Sequence, residues 1–196
     1  MKKWLPLIII VVILIGIFRW GVGLNNTMVE KQETARTQWA NVESAYQRRS
    51  DLIPNLVSTV KGYADFEKET LEGVIQARAN ATKTTIDPSN ITPEQMAQFQ
   101  ESQNSLSGAL SRLMVVVERY PDLKANQNFL ELQSQLEGTE NRINVERNRF
   151  NTVAKDYNIY IKKFPASVVA GFLNFDEMAL FQAAAGSEQA PEVSFD

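Results

Sequence analysis

The sequence predicts an all-α protein: an N-terminal transmembrane helix followed by an antiparallel four-helix bundle with long helices. Residues 5–18 form an unbroken apolar run. From about residue 25 onwards the apolar residues recur every three or four positions, and no stretch alternates with period two. Apolar seams of this regularity favour helices that pack at shallow crossing angles.

The apolar run is interpreted as a membrane anchor within residues 1–24. A helix from Trp4 to Leu24 is long enough to cross a hydrocarbon core of about 30 Å. The Arg19 side chain would extend to the headgroups, and tryptophans at both ends would lie at the interfaces. The residues that mark the anchor are Trp4, Leu5, Phe18, Arg19 and Trp20.

A cleaved secretory signal is the alternative, because Gly21 and Gly23 resemble a small-residue cleavage site. Arg19 and Trp20 fit such a site poorly, so we favour a retained single-pass anchor in the cell membrane. The flanking charges nearly balance under the positive-inside rule and leave the orientation open. We favour an extracytoplasmic soluble domain.

Composition excludes several kinds of chemistry. The chain has 196 residues, a formal net charge of −3, no cysteine and no histidine. Disulfides, thiolate chemistry, imidazole bases and histidine metal ligands are therefore excluded. A negative net charge does not indicate binding to nucleic acid. We predict no catalytic residue, cofactor or metal.

The first helix is expected to continue from the anchor and end near Ser50. Asp51 then begins a second helix, with Pro54 in its first turn and its end before Thr84. Arg48 and Arg49 would form a solvated helix end, the alternative being a seat for an anionic partner. Residues 84–92 contain a turn cluster and form the clearest interior loop.

The third helix begins at a predicted capping box, and Pro121 separates it from the long fourth helix. The bundle as a whole covers residues 25–164. Gln103, Thr139 and Glu146 fall on the apolar seams. We expect them to hydrogen-bond to one another or to nearby arginines and to fix the helix register, in preference to forming a ligand site.

The end of the fourth helix is expected to return towards the membrane and to deliver an apolar membrane-proximal segment, residues 165–185. This segment either caps the open end of the bundle or contacts a membrane or a protein partner. Residues 165–196 contain five carboxylates and no lysine or arginine, which favours a protein partner over lipid. Residues 186–196 are predicted to be a disordered acidic tail. The candidate interaction patch comprises Phe164, Pro165, Gly171, Phe172, Phe175 and Phe181.

Several motifs resemble the bacterial LemA family. Residues 38–57 read QWANVESAYQRRSDLIPNLV, and the similarity continues at Lys61-Gly62-Tyr63, Ala77-Arg78, Tyr157-Asn158, Phe164-Pro165 and Gly171-Phe172. With the N-terminal anchor it covers nearly the whole chain. The resemblance implies a single-pass membrane protein with an antiparallel helical bundle and no established enzymatic activity. By genomic association it also implies an envelope role beside membrane proteases.

Two functions follow from these observations. The favoured one is a non-enzymatic membrane-anchored scaffold of the bacterial envelope, whose partners are the lipid bilayer, further copies of itself, and a membrane protease or other envelope protein. The alternative is a membrane-remodelling or lipid-sensing protein whose bundle lies against the bilayer.

Overall fold

The computed structural model describes residues 4–62 and 67–182. All the regular elements in these ranges are helical, which confirms the all-α prediction. They are α1 (Leu5–Lys61), α2 (Lys68–Lys83), α3 (Pro93–Val117), α4 (Pro121–Lys124), α5 (Gln127–Lys162) and α6 (Ala166–Leu173). Phe164-Pro165 is a cis peptide bond. The predicted acidic tail lies outside the described residues.

α1 joins the apolar N-terminus to the rest of the protein without a break. It has 57 residues and is about 85 Å long at a rise of about 1.5 Å per residue. Its first part is long and apolar enough to cross a membrane, and residues 7–20 are all exposed. Leu24 is the first residue of the helix that packs against the core, and Met28 is fully buried. The same helix is therefore exposed along its apolar start and buried on one face further on.

The predicted helix boundary at Ser50 and Asp51 is wrong, because α1 continues to Lys61. Pro54 lacks the N–H that would donate to the Ser50 carbonyl oxygen one turn earlier. Arg78 of α2 supplies the missing donor: its Nε lies 2.8 Å from the Ser50 oxygen. A side chain from the next helix thus compensates for the proline, and α2 is a separate, shorter helix than predicted.

The predicted start of α3 agrees with the structure, whereas the long fourth helix, expected to begin at Pro121, begins only at Gln127. Thr92 and Gln95 form the expected capping box at α3, in which each backbone N–H donates to the other residue's side-chain oxygen at 3.3 Å. At α5 the Asn126 side-chain oxygen caps the helix by accepting from the Phe129 N–H at 3.1 Å. Pro121 begins the short α4 between them.

The long helices form two antiparallel pairs. α1 lies along α5, so that Lys31 is beside Tyr160. Further along the same pair, Arg49 is beside Glu140. α2 lies along α3, with Glu67 beside Arg119 at one end. α1 and α3 therefore lead away from the anchor and α2 and α5 return, as predicted, while the regular geometry of a four-helix bundle stays a prediction.

The buried residues separate into two clusters along the molecule. The anchor-side cluster is built from α1, α5, the start of α3, the loop before it, α6 and residues 175–182. The distal cluster is built from the ends of α1 and α3, all of α2, α4 and the start of α5. Trp39 is at the centre of the anchor-side cluster, and Leu113 is fully buried in the distal one.

Candidate interaction surfaces

The predicted anchor residues lie on an exposed stretch of α1. Trp4, Phe18 and Trp20 are 67%, 73% and 55% exposed, and Arg19 is also exposed. Leu5 begins the helix. Tryptophans on both sides of an apolar segment are typical of helices whose ends lie at membrane interfaces. This arrangement fits membrane anchoring, and the side of the membrane stays a prediction.

The six residues of the predicted interaction patch do not form one surface. Phe164 and Phe172 are 84% and 85% exposed, and Gly171 is exposed between α6 neighbours. Pro165 and Phe175 are half-buried. Phe181 is only 6% exposed and belongs to the core. Only the residues in and directly before α6 therefore remain available on the surface.

Phe181 is buried because the chain turns back after α6. Asn174 adopts a left-handed conformation with φ of 57° and ends the helix, and the Phe175 N–H donates to the Ala170 oxygen at 3.0 Å. Residues 175–182, which we call the strap, then run back along α5, away from the anchor. The ring of Phe181 stacks on Trp39 and meets Phe150 edge to face.

Two asparagines of α5 hold the strap by its backbone. Asn158 donates to the Met178 oxygen at 2.8 Å and accepts from the Met178 N–H at 2.9 Å. Asn151 makes the same pair of bonds with Phe181, at 3.0 and 2.9 Å. The Ala179 N–H donates to the Ile91 oxygen at 2.9 Å. A non-helical segment can be buried here because these contacts satisfy its polar groups.

Arg49 is buried, which contradicts the prediction of a solvated helix end, whereas Arg48 is exposed as expected. The Arg49 guanidinium donates to Gln103 Oε1 at 2.7 Å and to the Ser107 hydroxyl and Glu140 Oε2, each at 2.8 Å. Gln103 in turn donates to the Ala81 carbonyl of α2 at 3.2 Å. Arg49 and Gln103 together thus link all four long helices between the two clusters.

Glu146 is the second buried polar centre and is only 1% exposed. Its Oε1 accepts from Arg142 at 2.7 Å and from Arg149 at 3.2 Å. Its Oε2 accepts from Gln38 of α1 at 2.6 Å. Pairing with neighbouring arginines was predicted. The contact with Gln38 joins α5 to α1 and helps to fix the register between these two helices. Thr139, which was expected to bond to another of these polar residues or to an arginine, instead donates to the Gln135 oxygen of its own helix at 2.7 Å.

The ionisable groups with shifted pKa values do not converge on a reaction site. Burial raises the pKa of Glu43 and also that of Tyr46, which Arg147 and Arg49 partly oppose. Burial, together with the Asp176 carboxylate, raises the pKa of Tyr157 to about 12. Over residues 4–62 and 67–182, no group of three or more acidic side chains could hold a metal ion. Burial among packed helices accounts for these shifts.

The sequence model of the LemA family matches residues 38–195 of the chain. The chain belongs to the LemA family. The match includes the Arg49 network, Glu146, α6 and the strap, whereas the apolar start of α1 precedes it. What the family match supports is therefore the helical body, and the anchor is supported by the exposed apolar helix itself.

Curated relatives extend the same similarity. Protein LemA of Metamycoplasma hominis is 27% identical over 177 residues, 90% of this chain and 77% of that protein. Magnetosome protein MamQ 2 of Paramagnetospirillum magneticum is 26% identical over 174 residues, 80% of this chain and 64% of that protein. Magnetosome protein MamQ of Magnetospirillum gryphiswaldense is 25% identical over 173 residues, with the same two coverages. The chain thus spans less than two thirds of the length of these magnetosome proteins, and none of the three names states an enzymatic activity.

Proposed function

We propose that this LemA-family chain is a non-enzymatic, membrane-anchored helical scaffold of the bacterial envelope. The observation that carries the proposal is the continuity of α1, which runs from Leu5 to Lys61 without a break. A body built on the anchor helix itself is held at a fixed height and angle to the membrane. Such a connection suits a protein that presents a surface, and it needs no catalytic group.

The helical body is the docking surface in this proposal. Single apolar side chains are exposed on its outer faces, with Val115 of α3 71% exposed and Val145 of α5 44% exposed. A polar groove between α1 and α5 is lined by Ser44, Arg48 and Arg142 among others. The partner is a second copy of the chain, a membrane protease or another envelope protein, with the body on the extracytoplasmic side.

Photocrosslinking in cells tests the proposal. Full-length protein would carry a photoreactive residue at Val115 or at Val145, and the adducts would be identified by mass spectrometry. Because both positions are exposed, neither substitution should disturb packing. We expect a reproducible adduct to this chain or to another membrane protein from at least one position, and none without irradiation.

Two results would count against the scaffold. The first is a protein that is strictly monomeric in detergent and yields no protein adduct from either position. The second is lipid adducts from both Val115 and Val145, which would favour the membrane-remodelling alternative, since its bundle must lie against the bilayer along its length.

A further inference from the structure

We propose that α6 is a second membrane contact, whose outer face lies in the headgroup layer of the bilayer that holds the anchor. The outer face consists of Phe164, Val168, Phe172 and Leu173. The inference rests on the membrane-anchoring part of the proposed function and adds a lipid site on the body itself. It concerns the position of one face and is independent of which protein partner the body docks.

The outer face is apolar and uncovered in the structure. Val168 and Phe172 are 64% and 85% exposed and lie four residues apart on one side of α6, and Phe164, 84% exposed, lies directly before the helix. The opposite side of α6 is also apolar, with Ala166 and Ala170 buried against the body. A helix that is apolar on both sides is typical of one that is covered on both sides.

The register of α1 and α5 puts this face at the anchor-side end of the body. The body begins at Leu24, which packs against the anchor-side cluster, whereas Trp20 is 55% exposed. Lys31 of α1 lies beside Tyr160, so α5 ends at Lys162 close to the first turns of the body. α6 follows directly and contacts both α1 and α5.

The length of the anchor sets the depth of this end of the body. A helix from residue 5 to residue 24 rises about 30 Å, which matches the hydrocarbon core of a bilayer. The headgroup layer extends roughly 5 to 7 Å further on each side. If the span ends earlier, at Arg19, residue 24 lies about 7.5 Å above the core, at the outer edge of that layer. Either way the start of the body meets the headgroups.

In the folded structure one of the two carboxylates that directly follow α6 is paired, which weakens the charge argument against lipid at this face. Phe175 and Phe181 belong to the strap and pack against the core, so they are not part of the exposed face. The Glu177 carboxylate is paired with Lys162, at 2.6 Å from its Nζ. Lys163, directly before Phe164, is exposed. The face therefore combines uncharged apolar side chains with a neighbouring cation, which is the composition of an interfacial helix.

Depth-dependent fluorescence quenching tests the inference on the full-length chain. Because the chain has no cysteine, Phe172→Cys and Val115→Cys can each be labelled at a single site with the environment-sensitive fluorophore NBD. Both positions are exposed, and Val115 is the matched control on the body far from the anchor. The labelled proteins would be reconstituted into phosphatidylcholine and phosphatidylglycerol vesicles that contain lipids with a shallow nitroxide on the acyl chain.

We expect the label at position 172 to be quenched by the nitroxide lipid about threefold more than the label at position 115, and to be shielded from aqueous iodide, because its side chain lies at headgroup depth. Equal quenching at the two positions would overturn the inference. Shielding from both quenchers would also overturn it, since a protein surface would then cover the face. Val168→Cys, on the same side of α6, repeats the test without changing an aromatic residue.

The outcome separates this inference from the scaffold proposal. Strong lipid quenching at position 172 together with no protein adduct from Val115 or Val145 would retain the membrane contact and reject the scaffold. Protein adducts from the body together with no lipid quenching at position 172 would do the reverse.

Discussion

The anchor-side and distal clusters enclose their cores in different ways. Around the distal cluster, α1, α2, α3 and α5 all contribute buried residues. At the anchor side α2 has already ended at Lys83 and α3 begins only at Pro93. The start of α3 still contributes Met96 and Phe99. The strap packs where α2 is absent, with Phe181 against Trp39. The distal core is therefore formed by the apolar faces of helices alone. The anchor-side core also needs the strap, which is not helical.

The two halves also satisfy their backbone polar groups differently. In the distal half most N–H and C=O groups are paired within helices, and this pairing follows from local sequence. The strap is paired by side chains of other elements, chiefly Asn151 and Asn158 of α5. The anchor-side half should therefore be the more sensitive to single changes near the C-terminus.

The largest expected effect is the loss of the Phe181 ring. Phe181→Ala should lower the free energy of unfolding by about 3–5 kcal/mol, because a buried phenyl ring is lost and a cavity is left beside Trp39. Chemical denaturation of the full-length protein in detergent measures it. Phe172→Ala removes the same group from an exposed position and should change the free energy by less than about 0.5 kcal/mol. Equal effects of the two substitutions would mean that the strap is not part of the core.

Arg49 lies between the two clusters, and its removal should uncouple them. Arg49→Met should lower the free energy of unfolding by about 3 kcal/mol, since Gln103 would lose a buried charged partner. Arg48→Met, at the exposed neighbouring position, is the control and should have little effect. Unfolding of each half would be followed by its own probe, and the two transitions should coincide less closely in the variant than in the unmodified protein. A concerted transition of unchanged midpoint would contradict a linking role.

The contact between Arg78 and Ser50 sharpens the comparison within the distal half. Arg78→Met should cost about 1 kcal/mol, because the Ser50 carbonyl loses its donor. In a Pro54→Ala background the cost should be smaller, since residue 54 then has an N–H that can donate to the same oxygen. A double-mutant cycle measures the coupling. Identical costs in both backgrounds would show that Arg78 does not compensate for the proline.

A further expected effect, seen only in alkaline solution, is a pH dependence at the start of the strap. The Tyr157 hydroxyl donates to the Asp176 carbonyl oxygen at 2.9 Å, and burial together with the Asp176 carboxylate raises the pKa of Tyr157 to about 12. An unfolded tyrosine has a pKa of about 10. The neutral hydroxyl therefore contributes stability that is fully present below about pH 10 and is lost as the pH rises through about 12.

Tyr157→Phe removes this titration. The free energy of unfolding of the unmodified protein should therefore fall more steeply between about pH 10 and 12 than that of the variant. Denaturation curves over this range measure the difference. Parallel pH profiles would indicate that the Tyr157 hydroxyl titrates normally in the folded protein.

Features with local causes could be predicted from the sequence, and those with distant causes could not. The capping box at Thr92 and Gln95 lies within four residues and was predicted correctly. The helix break at Asp51 was predicted wrongly because the donor to the Ser50 oxygen, Arg78, is 28 residues away in sequence. Local rules for proline do not include a side chain from another helix.

The same distinction applies to the candidate surfaces. Arg49 could have been placed in the core, because it continues the stripe of Val42, Tyr46 and Ile53 at helical spacing, whereas Arg48 does not. Phe172 and Phe181 look alike in sequence, and only the turn at Asn174 separates the exposed ring from the buried one. Asn158 belongs to one of the motifs that resemble the LemA family, but no local pattern predicts that it and Asn151 hold the strap.

Hydrogen exchange on a strap-less chain tests the difference between the two halves most directly. A chain ending at Asn174 would be compared with one ending at Gln182, which retains the strap and is the matched control. Loss of the strap should remove amide protection from residues 28–46 of α1 and 143–161 of α5, while residues 53–60 of α1 and the helix α2 keep theirs. Uniform loss of protection in both halves, or no loss in either, would contradict the conclusion that the strap closes the anchor-side half alone.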